Sequence, residues 1–213
     1  MLRSFLTIWT RRIRALGTFG RGRYNLDMVV EEGATAAANL LTMAIRALDY
    51  CPPVDLEFGD FLAALLTVDT EPLIRRTFEA YGIDVPGAGT DQATGCWLPF
   101  TGNEAIVYTR TNFESMLHDP QEVFRFLWEN RRTLRIDDRG YMRIASVRRS
   151  NRQGPDGFQL RETICEYVQV ASIFGAEART ARGIERPKGM PSTQRITAYG
   201  GGTLVFDQYG RIK

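Results

Sequence analysis

The residues that could carry out metal or nucleophilic chemistry in this chain are few and widely spaced. The sequence has one histidine, His118, and three cysteines, Cys51, Cys96 and Cys165. A zinc site needs several converging His, Cys or carboxylate ligands, and a cysteine nucleophile needs a nearby base that favours the thiolate. No HExxH motif occurs, and no cysteine lies near His118 in sequence. The pattern therefore predicts no catalytic, cofactor-binding or metal-binding residue.

Two further patterns have structural explanations that compete with a functional one. Two carboxylates in different environments can share acid–base work, but the acidic residues around positions 49–60 also fit helix caps and a solvated surface. A phosphate-binding loop joins a strand to a helix N-terminus, whereas Gly200–Gly202 lead into the strand-like TLVFD. We expect helix capping by Asp55 and a bulge or bend at the glycines.

The basic stretch 131–152, RRTLRIDDRGYMRIASVRRSNR, offers the best candidates for an anionic partner. Arginines contact phosphates through interactions that weaken with salt, and the candidate contact residues are Arg143, Arg148, Arg149 and Arg152. Asp137 and Asp138 interrupt the stretch. Three interpretations stay open: a solvated strand face, a face docked on the acidic part of the chain, and a nucleic-acid surface.

Charge is strongly segregated along the chain, although the net charge is only +2. The first 23 residues hold six arginines and no acidic residue, residues 24–130 hold five arginines and 17 acidic residues, and residues 131–195 hold 14 basic and seven acidic residues. Such segregation is typical of surfaces that face each other or face different partners.

Composition indicates a globular protein. Hydrophobic residues make up 44% and charged residues 24% of the chain, which are ordinary values. No apolar run reaches the ~18 residues of a membrane-spanning helix, so we expect no membrane partner. Three sparse cysteines do not form a disulfide framework, and we therefore expect free thiols and a cytoplasmic location.

Hydrophobic periodicity predicts helices in the first part of the chain. The segments are 2–16, about 33–48, about 58–68, and a fourth that opens at Glu71-Pro72 and ends near Gly82. Residues 84–103 are rich in Gly and Pro and have no period. The predicted organisation is a helical region over 1–83, a linker over 84–112, and a mixed region over 113–213.

The last region combines helix and strand signals. Asn112 or Asp119 is expected to cap the helix in DPQEVFRFLWENRR, and the residues predicted to be buried there are Val123, Phe124, Leu127 and Trp128. A GPDG turn at 154–157 separates two alternating segments, which predicts a long hairpin, and RITAYGGGTLVFD supplies another strand. The fold class predicted is α+β, with a helical N-terminal half and a smaller mixed α/antiparallel-β C-terminal half.

One stretch resembles a known family. RALDYCPPVDLEFGDFLAALLTVD, followed by a helix that ends in FEAYGI, is similar to the C-terminal, non-metal-binding region of bacterial thermolysin-like (gluzincin) zinc metallopeptidase-like proteins. There a Phe-Gly-Asp step, here Phe58-Gly59-Asp60, precedes an Ala/Leu helix. The basic strand, GPDG turn and Gly-rich entry into TLVFD are also similar, so the resemblance covers 24–83 and 140–213.

The resemblance implies that the HExxH helix and its glutamate ligand would precede residue 1. It also implies that Glu32 stands where such peptidases use a histidine to stabilise the tetrahedral intermediate, and a carboxylate cannot donate to an oxyanion. No catalytic residue can thus be assigned.

Two functional hypotheses follow. The preferred one is a non-catalytic C-terminal portion of a gluzincin-like metallopeptidase, inactive alone, that acts as a scaffold or accessory. Its partner would be the missing catalytic part or a second copy. The alternative is a binding module that uses the basic 131–152 strand for nucleic acid or an acidic protein partner, of which we favour the protein.

Overall fold

The computed structural model shows an α+β fold, as the sequence predicts. It describes residues 2–18, 22–68, 73–81, 83, 90–91, 94–108, 112–153, 159–176 and 188–213. Within these residues the α-helices are α1 (Leu2–Leu16), α2 (Leu26–Ala47), α3 (Phe58–Val68), α4 (Leu73–Glu79), α5 (Phe113–Met116) and α6 (Pro120–Glu129). The strands are β1 (Tyr141–Gln153), β2 (Gln159–Phe174) and β3 (Arg195–Phe206).

The chain forms two compact units. The helical unit comprises Met1–Cys51 and Glu57–Leu98, and the sheet unit comprises Pro52–Leu56 and Pro99–Lys213. The passage from Leu98 to Pro99 falls within the stretch predicted as a linker. The predicted starts and stops at Glu71-Pro72, Gly82 and the GPDG turn lie outside the described residues.

In the helical unit, α2 begins seven residues earlier than the predicted start at Gly33. Asn25 is the reason: its side chain accepts a hydrogen bond from the Asp27 amide at 2.9 Å, and Asp27 sits in the first turn. Both features stabilise a helix N-terminus. Trp9 of α1 then packs on Gly33, where an added Cβ would come within 3.0 Å of the indole. The small residue thus allows close approach of the two helices.

The core of the helical unit is formed by α2 and α3. The buried residues of α3 run from Leu62 to Leu66, and Leu40 and Ala47 of α2 belong to the same cluster. Asp55 does not cap α3 as expected. It has a positive φ of 53°, and the Asp60 carboxylate instead accepts a hydrogen bond from the Glu57 amide at 3.0 Å.

In the sheet unit, both proposed helix caps are present. Asn112 caps α5 and Asp119 caps α6. The predicted burial of Val123 and Leu127 is confirmed, but the third buried residue of α6 is Phe126. Trp128 is 39% exposed, so the prediction was wrong there. The buried face of α6 is directed toward an aromatic cluster that includes Phe206, a residue far from α6 in sequence.

The sheet is antiparallel with the order β1-β2-β3. Of the bulge or bend predicted at Gly200–Gly202, the bulge is wrong, because β2 and β3 pair without a register shift. Close packing explains two of the three glycines: a Cβ at Gly201 would lie 2.4 Å from the Tyr167 carbonyl oxygen, and one at Gly202 would lie 2.8 Å from the Tyr167 hydroxyl, whereas a Cβ at Gly200 would meet nothing within 4 Å.

The register shift occurs in β1, between Ile144 and Ser146. A bulge inserts one residue and inverts the alternation of side chains beyond it. Met142, Ile144 and Val147 consequently all belong to the core cluster that includes α6. This inversion also decides how the arginines of β1 are distributed.

Candidate functional site

The bulge divides the four candidate arginines between the two faces of the sheet. Arg143, Arg148 and Arg152 stand opposite Val168, Ile164 and Leu160 of β2, which share one face, whereas Arg149 stands opposite Thr163. The side chain of Arg152 lies outside the described part of the chain. The register therefore assigns three of the four candidate positions to one face of the sheet and Arg149 to the other.

Two of these arginines are paired with acidic residues. The Arg148 Nη1 atom lies 2.8 Å from Glu166 Oε1 and donates a further hydrogen bond to Ser146, and Arg149 Nη2 lies 2.5 Å from Glu114 Oε2. Arg143 is exposed and makes no ion pair with any described residue. Paired guanidinium groups are less available to phosphates, so the geometry does not support a nucleic-acid surface.

Two of the three thiols show no feature of a nucleophile. Cys51 and Cys165 are buried. Burial raises the pKa of Cys165 to about 12. The pKa of Cys51 is raised to about 11, mainly by burial and to a smaller extent by the negative charge of Asp60. Burial also raises the pKa of Tyr167. Reactive cysteines have the opposite shift, so both thiols have a packing role.

The raised thiol pKa values predict a stability that decreases in alkali. The unfolded thiol titrates near pH 9.0, below its folded value, so the unfolded state loses protons first. The stabilising contribution is complete below pH ~9 and disappears as the pH rises toward ~12. We expect the urea midpoint of the sheet unit to fall over this range and Cys165→Ala to flatten the fall. Rapid reaction of both buried thiols with a disulfide reagent at pH 8 would contradict this.

The carboxylates that line a second cavity of the sheet unit are engaged in ion pairs or hydrogen bonds. A cavity of about 260 Å³ between α5, β2 and the turn after β3 includes Glu114, Glu162 and Asp207 in its lining. Glu114 pairs with Arg149, Glu162 pairs with Lys213 at 2.6 Å, and Asp207 accepts the amide hydrogens of Tyr209 and Arg211. Among the described residues, no group of three or more His, Cys, Asp or Glu side chains is placed to hold a metal ion.

Glu32, at the position that the resemblance equates with an oxyanion-stabilising histidine, is engaged within the helical unit. Its Oε2 atom lies 3.0 Å from Arg12 Nη1 of α1. An anionic carboxylate beside an arginine has no proton to donate. This ion pair helps to fix α1 on α2 and gives the position a structural role.

The most unusual surface of the helical unit is a second apolar face on α2. Leu40 and Ala47 point into the core, while a separate row is solvent-exposed along the whole helix and into the following turn. We call this row the exposed apolar face of α2; it consists of Leu26, Val30, Ala34, Ala37, Leu41, Ile45 and Leu48. Its five large side chains are between 52% and 74% exposed.

The spacing of this row favours contact with another helix. The residues follow one another at intervals of three or four, which confines them to an arc of ~100° on a helix. The row extends over ~33 Å at 1.5 Å per residue. Spacing of this kind is used by helices that pack along their length, and extended apolar patches mark interaction surfaces. Sequence reasoning missed this face because the period alone does not reveal which of two apolar faces is covered.

Comparison with family models, with curated proteins and with solved structures finds no match for this chain. In the described residues no helix is both long and apolar enough to cross a membrane.

Proposed function

We propose that this protein is a non-catalytic scaffold or accessory part of a gluzincin-like zinc metallopeptidase, and that it docks the catalytic part through the exposed apolar face of α2. The observation that carries the proposal is this face: a charge-free row on a helix that the fold already holds in place by its other side. A monomer gains nothing from exposing it, whereas a partner helix would remove it from water.

The choice of partner rests on the resemblance together with the position of α2. In the resembling family the helices that correspond to α2 and α3 follow the metal site, so α2 is the first helix of the resembling stretch and, of the two, the one nearer in sequence to a preceding catalytic part. The Arg12–Glu32 ion pair supports a structural role at the position that the resemblance equates with a catalytic histidine. We place the protein in the cytoplasm, because its three cysteines are free and widely spaced.

The proposal predicts that the chain alone binds no zinc and cleaves no peptide bond. The purified protein, dialysed against zinc-free buffer, is expected to contain well below one zinc ion per chain by mass spectrometry. It should show no casein cleavage that a chelator suppresses. A His118→Ala variant serves as the control, since His118 is the single imidazole of the chain.

One zinc ion per chain that His118→Ala removes would contradict the non-catalytic role, as would chelator-sensitive cleavage. The alternative of a nucleic-acid-binding module lacks a supporting cluster, because Arg148 and Arg149 are paired. The other alternative, an acidic protein partner for β1, is supported by the exposed side chain of Arg143.

A further inference from the structure

The sheet unit contains a slot between α6 and β1. This cavity of about 530 Å³ is lined by Pro120, Gln121, Phe124 and Trp128 of α6 and by the consecutive residues 140–144. Its volume lies in the range of ligand-binding clefts. All of its lining belongs to one unit, so its shape does not depend on the helical unit.

The slot follows the free edge of the sheet. Side chains of successive strand residues point to opposite faces, so a cavity that touches five consecutive residues must run along the strand's edge. Within the described residues β1 pairs with β2 alone. Every second residue of β1 therefore directs its backbone amide and carbonyl away from β2, and at 141–144 these groups lie along the slot. Unpaired edges of this kind accept added strands.

The helix side of the slot is aromatic. Phe124 and Trp128 stack with ring centroids 6.1 Å apart and planes within 7°, and the Arg131 guanidinium lies 4.8 Å from the Trp128 ring centroid. Trp128 is 39% exposed. An apolar side chain of a ligand bound along the edge of β1 would cover the exposed part of the Trp128 ring.

On the side of the slot opposite α6, the lining carries a single charged side chain. Tyr141 is 71% exposed and Arg143 is exposed beside it, whereas Met142 and Ile144 belong to the core on the α6 side. Arg143 is the one charged side chain among the described residues that line the slot. It makes no ion pair there, unlike Arg148 and Arg149. A carboxylate of a ligand would complement the positive charge of Arg143 at this rim.

We propose that the slot binds an extended peptide segment of another protein, which adds a strand to the free edge of β1. The peptide's residues alternate between apolar side chains, which contact Phe124 and Trp128, and acidic side chains, which pair with Arg143. The alternation follows from the period of two in a strand, because α6 covers one face of β1 and Arg143 lies on the other. This inference is independent of the docking role of α2.

The test uses the full-length protein labelled with nitrogen-15 and a short blocked peptide of alternating phenylalanine or valine and glutamate. We expect the amide signals of residues 140–144 and the Trp128 indole signal to shift on titration. Arg143→Glu should lower the affinity for this peptide by about tenfold, because the charge at the rim of the slot is reversed. The same variant should prefer a peptide in which lysine replaces glutamate. Arg211→Glu, another exposed arginine of the sheet unit, is the matched control and should change neither affinity.

Backbone methylation separates strand addition from side-chain attraction. Methylating every second amide of the peptide in one frame should abolish binding, and methylation in the other frame should not, since only alternate amides face β1. The proposal is overturned if residues 140–144 do not shift at millimolar peptide, if both methylated peptides bind equally, or if Arg143→Glu and Arg211→Glu have the same effect.

Discussion

Leu40→Asp is expected to unfold the helical unit, whereas Leu41→Asp, one position further along α2, is expected to leave it folded. Leu40 is 6% exposed in the core and Leu41 is 62% exposed on the apolar face. Burying an unpaired carboxylate in place of a core leucine costs ~5 kcal/mol or more, which approaches the whole stability of a typical domain. On the exposed face the cost is limited to helix propensity, under ~1 kcal/mol.

Urea unfolding followed by circular dichroism at 222 nm, together with hydrogen exchange of the α2 amides, measures both effects. Thr35→Asp, a polar and exposed position on the same helix, controls for adding a charge to α2 and should match Leu41→Asp. If Leu41→Asp destabilises the unit as much as Leu40→Asp does, the face is covered within the chain itself and is not a docking surface.

Phe206→Ala is expected to reduce the free energy of unfolding of the sheet unit by ~3–5 kcal/mol. Phe206 is fully buried, and its ring makes edge-to-face contacts with Phe113 at 5.5 Å and with Phe126 at 5.4 Å between centroids. Truncation leaves a cavity between α5, α6 and β3 and removes both aromatic contacts, which are worth ~0.5–1.5 kcal/mol each beyond burial.

Hydrogen exchange of the β2 amides reports the stability of the sheet unit and is the measurement of choice for this variant. Tyr209→Ala provides the control, because Tyr209 lies three residues away and is 77% exposed; its effect should stay within ~0.5 kcal/mol. A loss below ~1 kcal/mol for Phe206→Ala would show that the aromatic cluster is not the core of this unit.

Local sequence signals were sufficient for the elements themselves. The apolar period over α1 and α3, the asparagine and aspartate caps of α5 and α6, and the alternation in β1 and β2 are properties of neighbouring residues. The start of α2 was missed because Asn25 precedes an acidic, less periodic turn, although a cap residue followed by Asp27 is a signal that could have been used.

Which candidate residues are paired, and which surfaces are left uncovered, could not be predicted, because both depend on residues distant in sequence. The bulge near Ala145 places Arg143 and Arg149 on opposite faces of the sheet, and no local sequence pattern predicts this bulge. The pairing of Arg149 with Glu114 joins β1 to α5 across 35 residues. The slot likewise exists only because α6 packs beside the free edge of β1.

The docking role of α2 is tested most directly by co-expression with the polypeptide encoded immediately upstream of Met1. We predict that this DNA encodes an HExxH motif and that its product co-purifies with the wild-type chain and with the Thr35→Asp, Asn39→Asp control. The Leu41→Asp, Ile45→Asp variant should lose the complex. Absence of an HExxH-encoding frame, or equal co-purification with both variants, would contradict the proposed function.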